Sequence, residues 1–411
     1  MSNLEELMAE YENIKSAGLK LNIQRGQPGD ENFDLVEEIL TNIKPGETLA
    51  PSGIDIRNYP GGPAGLKDAR DVLSEILGVK PEETIAGNNS SLKMMANTLM
   101  WAIIRGLKNS PRPWGKEGPI KFIVTVPGYD RHFYLLENLN IGMETVNMTG
   151  DGPDIDEIEK LAASNQQIKG LVFVPTYSNP TGDIISDEKV KRLASMKTAA
   201  PDFTIFADDA YAVHHLTDNP KRPLNLLRAC QEAGNPDRAI LFGSTSKITF
   251  SGAGVGVMGC SQANLDYICG LIGSQTIGPD KVNQYRHSKF IRNYPGGLSG
   301  LMKKHAEILK PKFDAVRDVL TERLGESGLA EWSEPKGGYF VCLRTKKPCA
   351  SRVVELMKDA GVALTPAGAT HPYGKDPGND TIRISPTRPS KEEVKRAMEI
   401  LALCVKIASA E

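Results

Sequence analysis

Ala239-Ile240-Leu241-Phe242-Gly243-Ser244-Thr245-Ser246-Lys247 is an apolar run that ends abruptly in three hydroxyls and one amine. Its first five residues carry no polar interruption, the pattern of a strand buried on both faces. Lys247 then falls just past the strand's carboxyl end, where open α/β sheets place their ligands. A glycine-rich stretch, Ser251-Gly252-Ala253-Gly254-Val255-Gly256, follows it. An amine held among hydroxyls and glycines can form an imine with an aldehyde. Most lysines, however, are solvated surface groups, and Ser/Thr/Gly clusters commonly mark plain loops.

Three further runs resemble the first. Residues 122–126, 170–174 and 204–207 are continuously apolar and alternate with helical stretches between about residues 85 and 260. Strands covered on both faces by crossover helices have this composition, so the expected fold class is α/β with a largely parallel, doubly wound sheet. Each run ends in a polar or turn cluster: Pro127-Gly128-Tyr129-Asp130, Ser178-Asn179-Pro180-Thr181-Gly182 and Asp208-Asp209-Ala210-Tyr211. The conspicuous chemistry therefore collects along one edge of the sheet. After Gly296-Gly297, a long helical pattern over 301–324 leads to a strand-like 337–343, a helix near 352–360, a strand at 381–384 and a last helix from Lys391. The expected organisation is a large domain over 45–300 and a small α/β domain formed by 1–44 and 301–411.

Composition limits the function classes. The chain has 411 residues, 40% of them hydrophobic and 24% charged, which excludes a fibrous or disordered chain. A formal net charge of -2 without a long basic run carries no footprint for nucleic acid. The amino terminus, Met1 to Leu7, is acidic and lacks the basic start and apolar run of a signal peptide. No apolar stretch reaches membrane-spanning length. Six cysteines without CxxC spacing suit reduced thiols, so a cytoplasmic location is expected. Of the six histidines only His214 and His215 adjoin, and they are read as packing or surface imidazoles rather than metal ligands.

Several residues carry a chemical reading beside an ordinary one. Asp208, at a strand end, suits a protonated ring nitrogen, because opposite charges favour each other's ionised forms; it also suits a helix cap. Tyr211 can donate to a ring oxygen or be a half-buried tyrosine. Asn179, rigid before Pro180, can present its amide to a phenolate-like oxygen or simply make a turn. Asn88 and Asn89 precede a helical run over 92–104, where free backbone NH groups and the helix dipole suit a phosphate or a side-chain cap. Tyr129 can stack on a planar ring or fill a core. Arg383, between Ile382 and Ile384, suits a carboxylate or a structural ion pair.

Taken as a set, Asn179-Pro180-Thr181-Gly182, Asp208-Asp209-Ala210-Tyr211, Ser244-Thr245-Ser246-Lys247 and Arg383 resemble class I aminotransferases, the pyridoxal-phosphate enzymes of fold type I. Gln24-Arg25-Gly26-Gln27-Pro28, Asn58-Tyr59-Pro60-Gly61-Gly62, the segment Gly278 to Gln284, and Arg383-Ile384-Ser385-Pro386-Thr387 are similar to the bacterial aspartate aminotransferase type Ic group. The resemblance implies a mostly parallel seven-stranded sheet between helices, plus a small α/β domain, in a homodimer with shared active sites. It implies that Lys247 binds pyridoxal 5′-phosphate as an imine and shuttles a proton at the substrate α-carbon. Asp208 would pair with the pyridine nitrogen, Asn179 and Tyr211 would bond the ring hydroxyl oxygen, and Tyr129 would stack on the ring. Asn88, Asn89 and Ser244 would cradle the phosphate, joined by Tyr59 of the other subunit. Arg383 would grip the substrate α-carboxylate, with Asn179 and Gly26 on the substrate side. The implied substrates are an amino acid, L-aspartate foremost, and a 2-oxo acid, 2-oxoglutarate, in a ping-pong cycle.

The chain departs from the family pattern twice. The phosphate-binding arginine that follows the lysine's glycine-rich loop in many relatives is replaced by Gly254. Ser274-Gln275-Thr276-Ile277 holds no arginine where the best-known aspartate enzymes bind the distal carboxylate. Arg25, Arg57 and Arg286 are the alternatives for that second role. The same cofactor residues also serve lyases that eliminate or decarboxylate, and aminotransferase-like domains occur as effector sensors in transcription regulators.

Overall fold

The structure is a computed structural model that describes residues 2–411; Met1, which opens the amino-terminal segment, lies outside them. A seven-stranded sheet runs in the order Thr84–Gly87, Gly256–Gly259, Ala239–Ser244, Thr204–Asp208, Ile168–Phe173, Lys121–Val126, Gly142–Asn147. The five strands from Ala239–Ser244 to Gly142–Asn147 pair in parallel. Gly256–Gly259 lies antiparallel between its two neighbours. The fold is therefore α/β with a mostly parallel sheet flanked by helices. All four strands expected from apolar runs are present, each within two residues of its expected bounds.

Three strands went unread. Gly142–Asn147 is an edge strand with only Val146 buried, so it lacks a continuous apolar signature. Thr84–Gly87 and Gly256–Gly259 are only 4 residues each and glycine-containing, which sequence reading takes for loop. The second of these places a strand where the glycine-rich stretch ends, so the chain leaving Lys247 turns straight back into the sheet.

The two faces of the sheet bury separate clusters. One gathers Ile123, Leu171, Ile205 and Leu241 with Leu73 and Ile76 of the helix Lys67–Leu77. The other gathers Phe122, Phe206 and Phe242 with Met94 and Leu99 of the helix Ser91–Arg105. This alternation follows from successive strand residues pointing to opposite faces. A third cluster surrounds the antiparallel sheet of Ala330–Trp332, Val341–Thr345 and Thr381–Ile384, covered by the helices Ala350–Asp359 and Lys391–Ala410. Tyr11, Ile14 and Ile23 pack into this third cluster, and Leu21–Asn22 pairs with Val362–Ala363, whereas Val36 and Ile39 join the first. The strand expected over 337–343 begins only at Val341, because Gly337 and Gly338 press against Tyr177, with Gly338 at a φ of +80°.

The helix Gly297–Leu324 belongs to two clusters. Leu298, Leu301 and Met302 pack under the large sheet, while Leu309, Phe313, Val316 and Leu320 pack in the third cluster. Among the described residues no helix is long and apolar enough to cross a membrane.

Candidate active site

The carboxyl ends of the parallel strands deliver the expected residues to one place. Asp208 ends its strand at 2% exposure, and its Oδ2 lies 2.9 Å from His132 Nε2. Its Oδ1 is buried with no partner among the described residues. A carboxylate oxygen left orphaned inside a protein costs about 1–3 kcal/mol, which a protonated ring nitrogen would relieve. Asn179 is equally buried; its Oδ1 accepts from Arg383 Nη1 at 3.3 Å while its Nδ2 donor is unpartnered. Two complementary orphans, one acceptor and one donor, thus sit at adjacent strand ends.

Lys247 lies half-buried over two rings, with Nζ 5.1 Å from the Tyr211 centroid and 5.9 Å from that of Tyr339. Desolvation lowers its pKa below the ordinary lysine value; the Asp208 charge opposes this shift and the Arg383 charge adds to it. The backbone around the amine is pinned: Tyr339 Oη donates to the Lys247 carbonyl at 3.2 Å, and His214 Nε2 lies 3.3 Å from it. Burial raises the Tyr211 phenol well above its usual pKa, aided by the charges of Tyr129 and Asp208, so the hydroxyl stays protonated and able to donate. Tyr129 precedes the helix Asp130–Asn138 and meets His132 edge-on at 5.0 Å between centroids.

Asn88, Asn89, Ser244 and Ser246 form a second group beside the amine. Ser244 Oγ donates to Ser246 Oγ at 3.1 Å, Ser246 Oγ donates to the Asn89 carbonyl at 3.4 Å, and Gly256 N donates to the Asn88 carbonyl at 3.3 Å. Asn88 holds a left-handed φ of 51°, a conformation that asparagine tolerates. The helix behind is capped by Ser90, whose Oγ accepts from Lys93 N at 3.3 Å. Gly254 is enclosed here: an added Cβ would stand 2.9 Å from Ser246 Oγ and 3.0 Å from the Asn89 carbonyl oxygen. Asn283 Nδ2 holds the Gly254 carbonyl at 3.1 Å. A side chain at Gly254 would have to push Ser246 and the Asn89 carbonyl aside.

On the other side Arg383, at 6% exposure, lies 5.0 Å from the Phe340 ring and donates through Nη1 to Asp130 Oδ1 at 2.8 Å and through Nε to Thr365 Oγ1 at 3.2 Å. Gly26 backs onto that same ring, where an added Cβ would stand 2.4 Å from Phe340 Cζ. Tyr59 stands apart, 68% exposed, with only its backbone engaged: its carbonyl accepts from Lys281 Nζ at 3.2 Å and its N donates to Asn58 Oδ1 at 2.8 Å. Of the three candidate arginines, Arg57 is bound to Asp55 at 2.7 Å and Arg286 Nε to Asn283 at 2.8 Å. Arg25 is exposed and has no ion pair among the described residues.

Sequence reading missed His132, Asp130, Tyr339, Phe340 and Thr365. His132 braces Asp208 from 76 residues away. The sole sequence signal for it is position: it lies three residues after Tyr129, one helical turn on. Among the described residues no group of three or more His, Cys, Asp or Glu could hold a metal ion.

The orphaned atoms, the desolvated amine and the hydroxyl-lined cradle fit a pyridine ring carrying a phosphate. Comparison with known proteins agrees. A crystal structure of an aspartate transaminase from Corynebacterium glutamicum superposes with a TM-score of 0.95 at 43% identity, covering 99% of this chain and 95% of that one. The aspartate aminotransferase of Corynebacterium glutamicum is 43% identical over 407 residues, 99% of this chain and 94% of that protein. The alpha-aminoadipate aminotransferase of Thermus thermophilus, solved with N-(5′-phosphopyridoxyl)-L-leucine, shares the fold at a TM-score of 0.77 and 20% identity, covering 95% of this chain and 93% of that one. Fold and comparisons together define an aminotransferase of fold type I. The chain belongs to the family described as aspartate amino-transferase, whose family model matches residues 1–411.

Proposed function

We propose that this aminotransferase moves the α-amino group of L-aspartate to 2-oxoglutarate in a ping-pong cycle that depends on pyridoxal 5′-phosphate. One observation carries the proposal: the desolvated Lys247 amine faces a strand edge that presents an unsatisfied carboxylate oxygen of Asp208 and an unsatisfied amide of Asn179. When bound, the cofactor supplies the electron sink for the substrate's α-carbon. Asp208, braced by His132, would hold the ring nitrogen protonated, and Asn179 and Tyr211 would donate to the ring hydroxyl oxygen. Tyr129 would cover the ring face. Asn88, Asn89 and Ser244 would hold the phosphate, with Tyr59 entering from the second subunit of a homodimer; its exposure supports that role.

The substrate would lie between Lys247 and Arg383. Arg383 binds the α-carboxylate with a planar fork, and Gly26 lets the chain pack directly on Phe340, where any side chain would meet the ring. Lys247 takes the α-proton and returns it, for which a lowered pKa is needed so that the amine is uncharged in a larger fraction of molecules near neutrality. Arg25, next to Gly26 and free of an ion pair among the described residues, is the candidate for the distal carboxylate. Separate clusters around the two sheets support the division into a large cofactor-binding domain and a small domain. The six free cysteines support a cytoplasmic location.

A visible spectrum of the purified protein with pyridoxal phosphate tests the whole proposal. Bleaching of the bound chromophore by aspartate and its return with 2-oxoglutarate is the expected result. Failure to bind any chromophore overturns the proposal, and release of ammonia with pyruvate, or of carbon dioxide, would assign the site to a lyase instead.

A further inference from the structure

Arg383 already holds a carboxylate that belongs to the chain. Asp130 Oδ1 accepts from Nη1 at 2.8 Å, and the second hydrogen of Nη1 is directed to Asn179 Oδ1 at 3.3 Å. Nε is committed to Thr365, while Nη2 carries no hydrogen bond among the described residues. A fork-like grip on an incoming carboxylate needs two parallel N–H donors, Nη1 with Nη2 or Nε with Nη2, and Nη1 and Nε are both engaged. Of the three groups that hold those donors Asp130 alone is a carboxylate and lies nearest, so it competes directly with an incoming one. A second cation is within reach: Asp130 Oδ2 lies 4.0 Å from Nε of Arg131, whose side chain is 48% exposed and lies over the Tyr134 ring. Asp130 is the first residue of its helix and its own side chain is 17% exposed, so it can turn outward without opening the core.

We propose that Asp130 is a tethered carboxylate latch that occupies Arg383 until a substrate α-carboxylate displaces it, whereupon it passes to Arg131. The proposal rests on the assignment of Arg383 to the substrate α-carboxylate. Asp130 is a positioning residue that makes no bond to the reacting atoms. The latch keeps a buried guanidinium paired between turnovers, when an uncompensated buried charge would be costly, and it sets a threshold that weak or singly bonded anions do not pass.

The test is binding of maleate, an unreactive dicarboxylate, to the cofactor-loaded enzyme by calorimetry, alongside KM and kcat for aspartate. In Asp130→Asn the competitor is lost, and the maleate Kd and the aspartate KM should both fall by roughly three- to tenfold, the range of a partly desolvated ion pair, with KM changing by more than kcat. In Arg131→Ala, a surface change with little bearing on folding, the displaced carboxylate loses its second partner and the maleate Kd should rise by about twofold. An Asp130→Asn enzyme with unchanged or weaker maleate binding overturns the latch, as does an Arg131→Ala enzyme with unchanged binding. Arg383→Lys separates the two levels: if it leaves maleate binding intact, the assignment of Arg383 itself fails.

Discussion

Lys247 is desolvated by its surroundings. The two rings beside it and the pinned carbonyl remove solvent, and the pKa falls for that reason. Lys247→Ala should therefore lower transamination by at least about a hundredfold, the scale of a lost general base, measured with aspartate and 2-oxoglutarate at saturating cofactor. His132→Phe should leave both Asp208 oxygens without a partner and weaken cofactor retention, read as a higher Kd in a spectroscopic titration. Arg25→Ala should raise KM for aspartate while leaving that for alanine nearly unchanged, since only aspartate carries a distal carboxylate; equal effects on both would remove Arg25 from that role. Residues at strand ends were legible because a polar cluster after an apolar run announces an edge. His132 was not, because its hydrogen bond joins a helix to a strand that the chain reaches only after two more crossovers.

At the scale of elements, the glycine-rich stretch after Lys247 is tightly enclosed at Gly254. Placing an arginine here with Gly254→Arg should not create a phosphate ligand. The new Cβ would stand against the Asn89 carbonyl, and the change should destabilise the protein by about 1–3 kcal/mol, as overpacking does. Thermal denaturation of the apoenzyme checks this, and a Tm equal to or above that of the parent would show that the strand can retreat. Buried parallel strands were readable from composition alone, since both their faces demand apolar residues. Edge and glycine-containing strands were not, because Gly142–Asn147 is largely solvated and Gly256–Gly259 owes its place to pairing on both sides.

For the whole molecule, the buried histidines set the acid limit. Burial lowers His305 and His287 to about 4 and His214 to about 3. His305 and His287 each face a carbonyl with one ring nitrogen and a side-chain amide or hydroxyl with the other, an arrangement that suits the neutral ring. Between these values and the ordinary 6.5 the unfolded chain binds more protons than the native one, so stability is lost as pH falls through that window. Asp209, pushed up to about 7 by burial, acts in the opposite sense: its native form retains a proton between the usual carboxylate range and about 7, so its contribution is lost as pH rises. Tm should decline from pH 6.5 to 4, and His305→Asn should flatten part of that decline; an unchanged slope would show that His305 titrates normally. The two larger of the three sheets were legible from the two blocks of alternating elements, whereas the assignment of the first forty residues between two clusters was not, because Ile23 and Val36 look alike in sequence and differ only in what they touch.

The helix Gly297–Leu324 has its first turns under the large sheet and its last turns beside the small one. Neither cluster can lose its structure without stripping one end of that rod, and a helix in a protein draws most of its stability from packing. Heat should accordingly be absorbed in a single calorimetric peak, with the two sheets melting as one cooperative unit.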